Sequence, residues 1–391
     1  DANLVRGLIE QEKPDAIFIF TDPRYWVWLF ELEREIRNQI PIYYLNIWDD
    51  LPAPLYNKSY YESCDLLMAI SKQTKNINEI VLGETAKDKI IKYVPHGINE
   101  KHFFPIREGH ESFELLKEFK SKMFEGKEID FVVLFNSRNI RRKSPGDVIL
   151  SYKLFCDMIG KEASKKCALV MHTQAVDENG TDLYAVREAL CDENVNVYFS
   201  QDKLETPQMN LLYNIADVGL LITSNEGWGL SLTETMMSGR MIIANVTGGM
   251  QDQMRFEHNG EWINFTPDFP SNHRGTVKDC GDWAVPVFPS NISLVGSVPT
   301  PYIFDDRCAP EDVAKALSDV YSLSKEERDA KGLLAREWVT SDESGMSARQ
   351  MCENIIDAMN EAFENFTPRP RYEILKVTDR PKKRITHKLI Y

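Results

Sequence analysis

Positive charge is scarce in this 391-residue chain: 46 Lys and Arg stand against 60 Asp and Glu, a formal net charge of −14. Such a surface repels a polyanion over most of its area, which argues against a body that holds nucleic acid non-specifically while leaving room for a local basic patch. Long hydrophobic runs are also missing. Nothing approaches the roughly 18 consecutive apolar residues of a membrane span. The first residues, Asp1-Ala2-Asn3-Leu4-Val5-Arg6, carry neither a basic nor an apolar region, so no signal peptide is expected. The seven cysteines (Cys64, Cys156, Cys167, Cys191, Cys280, Cys308, Cys352) are scattered and never spaced CxxC. That argues against a disulfide framework or a thiolate zinc site, and points to reduced thiols in a cytoplasmic protein. There is no internal repeat or low-complexity segment.

What is present is a globular composition, 43% hydrophobic and 27% charged, with length for two or three domains of roughly 100–200 residues each. Apolar, β-branched runs alternate with amphipathic stretches. Strands are predicted over residues 16–20, 42–45 and 66–70, then over 131–135, 168–171, 195–199, 218–222 and 241–244. Helical patterns such as 147–159 and 209–215 lie between them. Near-continuous apolar strands separated by helices indicate parallel sheets covered on both faces. Two such blocks predict an α/β protein of two doubly wound, Rossmann-like domains facing one another across a cleft.

The expected domains are 1–106, 107–345 with an insertion at about 257–306, a helix at 346–367, and a basic tail at 368–391. The first block is short: either the chain as given begins inside this domain or the domain is genuinely reduced. The helix is amphipathic, with Met351, Ile355, Ile356, Met359 and Phe363 on one face. The insertion, rich in Pro, Gly, Asn and aromatics, suits a lid, an acceptor platform, or a structural contact.

Chemistry concentrates in three segments. Ser224-Asn225-Glu226-Gly227-Trp228-Gly229-Leu230-Ser231-Leu232-Thr233-Glu234 follows a predicted strand. A strand, a loop with two glycines and a helix present free N–H groups to an anion. Glu226 and Glu234 add carboxylates suited to vicinal sugar hydroxyls. Alone, an acid pair eight residues apart is more often a solvated helix start; the ordered pattern around it favours a site. Asn136-Ser137-Arg138-Asn139-Ile140-Arg141-Arg142-Lys143-Ser144 follows another strand, at the carboxyl edge where such sheets bind ligands. Its cations suit a pyrophosphate, although a basic loop by itself is more often merely solvated. Val94-Pro95-His96-Gly97-Ile98-Asn99 is a rigid turn between the blocks; His96 fits a hinge, a cleft or a structural position.

In this order and spacing, the three segments resemble the retaining GT-B glycosyltransferases of the group 1 (family 4-like) superfamily, which includes sucrose-phosphate synthases and bacterial mannosyltransferases. The likeness covers roughly residues 14–323 and is most specific from Arg138 to Gly249. It implies that Arg138 and Lys143 hold a donor diphosphate and act in catalysis with Glu226. Glu226 would face the transferred sugar, with Gly227, Trp228, Gly229 and Leu230 beside it, and Glu234 would bind the ribose. Asn225 and Thr233 lie nearby without a role, and the base would pack near residues 199–203. Members cleave the donor with retained configuration and without a metal or other cofactor, the leaving phosphate accepting the acceptor's proton.

Two features depart from the family. Its N-terminal glycine-rich loop is not in this sequence. Where it often has a histidine, this chain reads Leu45-Asn46-Ile47-Trp48-Asp49-Asp50. Asp49 and His96 are the candidates for the acceptor side. The expected partners are a UDP- or GDP-sugar and a glycan or glycolipid acceptor. Two other readings are glycosylation of modified DNA bases, suggested by the basic tail, and a non-catalytic GT-B module that binds nucleotide sugar or a partner protein. The missing glycine loop favours the last; the Arg/Lys and Glu motifs oppose it.

Overall fold

The structure, a computed structural model, describes residues 1–269, 271–370 and 372. Of the predicted basic tail, Arg369 falls within them; Arg371, Lys376, Arg380, Lys382, Lys383, Arg384 and Lys388 lie outside the described residues.

Four strands form the first sheet: β1 (Ile17–Phe20), β2 (Ile42–Asn46), β3 (Leu66–Ala69) and β4 (Ile90–Tyr93). All pairs are parallel, in the order β1-β2-β3-β4. Every residue of β2 and β3 is buried, which explains their unbroken apolar sequences.

The second block supplies β5 (Phe131–Asn136), β6 (Cys167–His172), β7 (Val197–Ser200), β8 (Val218–Leu221) and β9 (Met241–Asn245). A short antiparallel pair follows, β10 (Glu257–His258) and β11 (Glu261–Trp262), then β12 (Ala284–Val287), β13 (Asn291–Ser297) and β14 (Thr300–Arg307). The main sheet runs β12-β9-β8-β5-β6-β7, all parallel. From β5 the chain winds one way through β6 and β7, then returns to β8 and winds the other way. The order therefore reverses between β5 and β8, and the crevice at their carboxyl ends is where such a sheet takes a ligand.

The predicted insertion at 257–306 is not one loop. Its Ala284-Val285-Pro286-Val287 is the edge strand of the main sheet. Proline breaks the expected apolar pattern, and an edge position is where a strand tolerates it. The remainder lies along the seam between the two sheets. On one flank, Lys72 Nζ donates to Ile263 O (2.8 Å) and lies 3.3 Å from the centre of the Trp262 ring, while Asn76 Nδ2 donates to Thr266 O (3.1 Å). On the other flank, the antiparallel hairpin β13–β14 lies against residues 48–56. Tyr56 Oη donates to Tyr302 O (3.0 Å), and Phe304 packs in one apolar cluster with Trp48 and Leu51. The helix Ala348–Asn365 crosses back to the first sheet, where Phe363 meets Tyr43 edge to face and Glu361 pairs with Lys92. Its predicted apolar face is incomplete, since Ile356 is exposed.

At the hairpin flank two carboxyl groups from different domains meet in the interior. Asp50 and Asp306 are both buried and lie within hydrogen-bonding reach of each other. Thr247 Oγ1 donates to Asp306 Oδ2 (2.7 Å), and Leu51 N and Gln73 Nε2 donate to Asp50 Oδ1 (2.7 and 3.2 Å). Burial pushes both carboxyl groups up, Asp306 to about 6; the Asp306 charge adds to the rise of Asp50, while hydrogen bonds from Thr247 and Asp50 restrain that of Asp306. Asp306 therefore holds its proton more tightly when folded than the roughly 3.9 of an unfolded aspartate. Its contribution to stability is full below that value and is lost as the pH rises through about 6. Urea denaturation at pH 5 and pH 8 should show wild type losing stability relative to Asp306→Asn on going to pH 8. Parallel profiles for the two proteins would show that Asp306 does not hold its proton more tightly in the folded state.

Candidate functional site

The crevice at the reversal point is a cleft of about 450 Å³ between the two domains. Its first wall grows from β5. The strand ends at Asn136, and a loop carries the chain through a 3₁₀ turn (Arg141–Lys143) into the helix Pro145–Ile159. This loop is pinned by Asn139, which is fully buried. Its Nδ2 donates to the carbonyls of Gln174, Ala175 and Thr181 (3.1, 3.2 and 2.7 Å), and its Oδ1 accepts from Thr181 N (3.2 Å).

With Asn139 turned inward, Arg138 is turned out. Its guanidinium is exposed and pairs with Asp177 (3.1 Å), away from the cleft. The cations that do line the cleft are Arg142 and Lys143. Arg142 Nη1 donates to Asn225 O (2.7 Å) and lies 3.4 Å from Glu226 Oε2; Lys143 Nζ pairs with the same Glu226 oxygen. The structure thus substitutes Arg142 for Arg138 beside Lys143. Burial pushes the Lys143 ammonium down to about 7, and the Arg142 charge adds to that; Asp49 acts in the opposite direction.

The second wall grows from β8. The loop after it is tied to the first wall, since Ser224 N and Thr223 Oγ1 both donate to Arg142 O (2.8 and 2.9 Å). It reaches the helix Leu230–Met237, whose first turn lines the cleft with Gly229, Leu230 and Ser231. Two glycines allow this course. A Cβ on Gly227 would sit 2.9 Å from Ile47 O of the opposite domain. Gly248, at φ +50°, would place one 2.0 Å from Glu226 O. The Trp228 side chain is buried and donates through Nε1 to Thr233 Oγ1 (2.9 Å), which in turn donates to Gln253 Oε1 (2.8 Å). Thr233 is therefore a structural link. Asn225 is one too, its Nδ2 donating to Phe304 O (3.3 Å).

Glu234 closes one end of the cleft. Tyr213 Oη donates to its Oε2, and Asn136 Nδ2 donates to Tyr213 Oη (2.6 Å). Burial pushes the Glu234 carboxyl up to about 7, and the Tyr213 hydrogen bond restrains the rise. Neither Tyr213 nor Asn139 stood out in the sequence, because their roles depend on partners 21 to 42 residues away. Residues 199–203, expected near a base, do not line this cleft.

The opposite domain contributes Phe20, Ile47, Asp49, Ile70 and His96. His96 meets Phe20 and Trp228 edge to face, with ring centres 5.9 and 6.3 Å away, and burial lowers its pKa, which keeps the ring uncharged. Burial raises the pKa of Asp49, against the pull of Arg142 and Lys143. The cleft therefore gathers Lys143, Glu226, Gly227, Trp228, Gly229, Leu230, Glu234, Asp49 and His96, and leaves out Arg138.

Two Rossmann-like domains meeting over such a crevice make the GT-B fold. Solved structures of the same architecture include a glycosyltransferase from Rickettsia africae ESF-5 (16% identity, TM-score 0.63, covering 93% of this chain and 81% of that one). Another is Anabaena HepE in complex with UDP-glucose (12%, 0.63, 92% and 81%). A third is sucrose-phosphate synthase from Thermosynechococcus elongatus (14%, 0.62, 93% and 77%). Identities this low establish the fold. No family model and no curated protein matches the sequence.

The glycine packing gives a direct test. Gly248→Ala forces a side chain into the Glu226 carbonyl at a positive φ and should lower stability by about 2–3 kcal/mol in urea denaturation. Gly7→Ala, in an open helical position, should raise it by about 0.5–1 kcal/mol. A tolerated Gly248→Ala would mean that the Glu226 loop is not held as described.

Proposed function

We propose that this protein is a glycosyltransferase that takes its sugar from a nucleoside diphosphate donor, UDP-sugar being the first candidate. The observation that carries this reading is the lining of one cleft by Arg142, Lys143, Glu226 and Glu234 at the reversal point of a GT-B sheet. The GT-B neighbour in complex with UDP-glucose supports the choice of donor.

In this reading Arg142 and Lys143 hold the diphosphate and stabilise the charge that develops on it as the sugar leaves. They do the work that a divalent ion does in other transferases, so turnover is proposed to need no metal. The first turn of the helix Leu230–Met237 offers backbone N–H groups to the same anion. Glu226 faces the transferred sugar, and Glu234, oriented by Tyr213, accepts from the ribose hydroxyls. The bond from anomeric carbon to phosphate oxygen breaks, an acceptor hydroxyl bonds to that carbon, and its proton passes to the leaving phosphate. Attack on the face the phosphate leaves would retain configuration.

The acceptor, a glycan or glycolipid in this proposal, meets Phe20, Asp49 and the uncharged His96. The free cysteines fit a reducing, cytoplasmic setting. Among the described residues no helix is long and apolar enough to cross a membrane. The DNA-base reading rested on a tail that is mostly outside the described residues, and nothing in the cleft favours it.

Glu226→Gln should cut the release of UDP from UDP-glucose by about 10²–10³-fold while UDP still binds; turnover at the wild-type rate would remove Glu226 from the reaction. pH gives a second handle. The second ionisation of a phosphate lies near pH ~6, so between pH ~7.5 and ~9 the cleft groups still titrating are Lys143 and Glu234, both at about 7, and Lys143→Arg isolates the Lys143 share. Calorimetric UDP affinity should fall across that range by up to about tenfold per pH unit, and the slope should flatten in Lys143→Arg. A flat wild-type profile would contradict the role given to Lys143.

A further inference from the structure

The outer edge of β14 presents its alternate amides to two different domains. Phe304 N donates to Leu51 O (2.7 Å) in the first domain, and Asp306 N donates to Ser224 O (2.9 Å) in the second. Both residues oppose β13 partners, Phe304 across from Leu294 and Asp306 across from Ile292, while their N–H groups point away from β13. A strand edge left open would be a liability; this one is closed by both sides of the seam at once.

The side chains and carbonyls repeat the pattern. Phe304 inserts among Trp48, Leu51 and Ala53, while its carbonyl accepts from Asn225 Nδ2 (3.3 Å). The Asp306 carboxyl receives Thr247 Oγ1 and faces Asp50, while the Asp306 carbonyl accepts from Asn245 Nδ2 (2.8 Å). Tyr302 Oη donates to Ala53 O (3.3 Å), and Arg24 pairs with Thr300 at the start of the strand.

What the two amides hold is specific. Leu51 lies two residues after Asp49, and Ser224 lies two residues before Glu226. Residues 304 and 306 are one strand repeat apart, roughly 6.6 Å at about 3.3 Å per residue. We propose that β14 is a positioning strut that sets the spacing between Asp49 and Glu226 across the domain seam, so that the cleft is assembled before any ligand arrives. Phe304 and Asp306 are positioning residues; neither lines the cleft. The roles of Asp49 and Glu226 rest on the function proposed above, whereas the strut itself rests only on the seam.

Hydrogen exchange of the full chain tests it, with and without UDP. The Phe304 and Asp306 amides should be protected in the ligand-free protein to the level of β5 and β8, and UDP should leave that protection unchanged. A hinged GT-B pair would instead expose the Phe304 amide until ligand closes the domains while the Asp306 amide, bonded within its own domain, stayed protected; exchange of Phe304 at the rate of an open loop in the free protein would overturn the strut. Phe304→Pro, which removes the donor, should lower UDP release from UDP-glucose by roughly 10²-fold through misplacement. UDP affinity, set by the second domain, should stay within threefold. Phe304→Leu, which keeps the amide, should restore turnover. Wild-type turnover in Phe304→Pro would also overturn the proposal. If wild type fails to bind UDP, the donor reading falls, and the exchange of the two amides in the free protein still decides the strut.

Discussion

Lys143 is largely sheltered in the cleft wall with its ammonium against Glu226, and Arg142 reaches the same carboxylate from the adjacent position. Burying a cation without an anion is costly enough that the protein would otherwise neutralise it. The fall of Lys143 toward about 7 records that pressure. In the ligand-free cleft, Glu226 provides the missing negative charge. The two loops that carry these residues follow β5 and β8, the strands between which the sheet order reverses. On the proposed reading a diphosphate takes over the cations and releases Glu226 toward the sugar, so the same electrostatic contact keeps the empty site intact and readies it for the donor.

Several layers of structure hold that contact in place. Asn139 locks the cationic loop from behind, Gly248 and Gly249 let the chain pass against the Glu226 and Gly227 carbonyls, and Arg142 O receives three donors from the neighbouring loop. The seam adds a further layer, because β14 bonds both domains within one strand repeat. It is consistent with a cleft whose polar groups are preorganised, which is what electrostatic stabilisation of a developing charge requires.

Much of this was legible from residues alone. The unbroken apolar runs of β2, β3, β5 and β6 follow from burial on both faces, and the placement of charged segments directly after strands pointed to the carboxyl edge of a parallel sheet. The choice among Arg138, Arg141 and Arg142 was not legible. It depends on which way the backbone turns after Asn139, and that is decided by carbonyls 35 to 42 residues further along. β12 was hidden by Pro286, and the hairpin was read as loop because its partners lie some 250 residues upstream. Asp50 and Asp306 looked like ordinary acidic residues, since only the fold brings them together.

In the proposed function, Glu226 and a diphosphate compete for the charge of Lys143. Calorimetric titration of UDP into wild type, Lys143→Ala, Glu226→Gln and the double variant measures that competition. Lys143→Ala should weaken binding by about 2–3 kcal/mol, as expected for a charged hydrogen bond lost in a cleft. Glu226→Gln should tighten binding by freeing the cations, and the gain should shrink in the Lys143→Ala background. Affinity unchanged by Lys143→Ala, or lost in Glu226→Gln, would contradict the central claim.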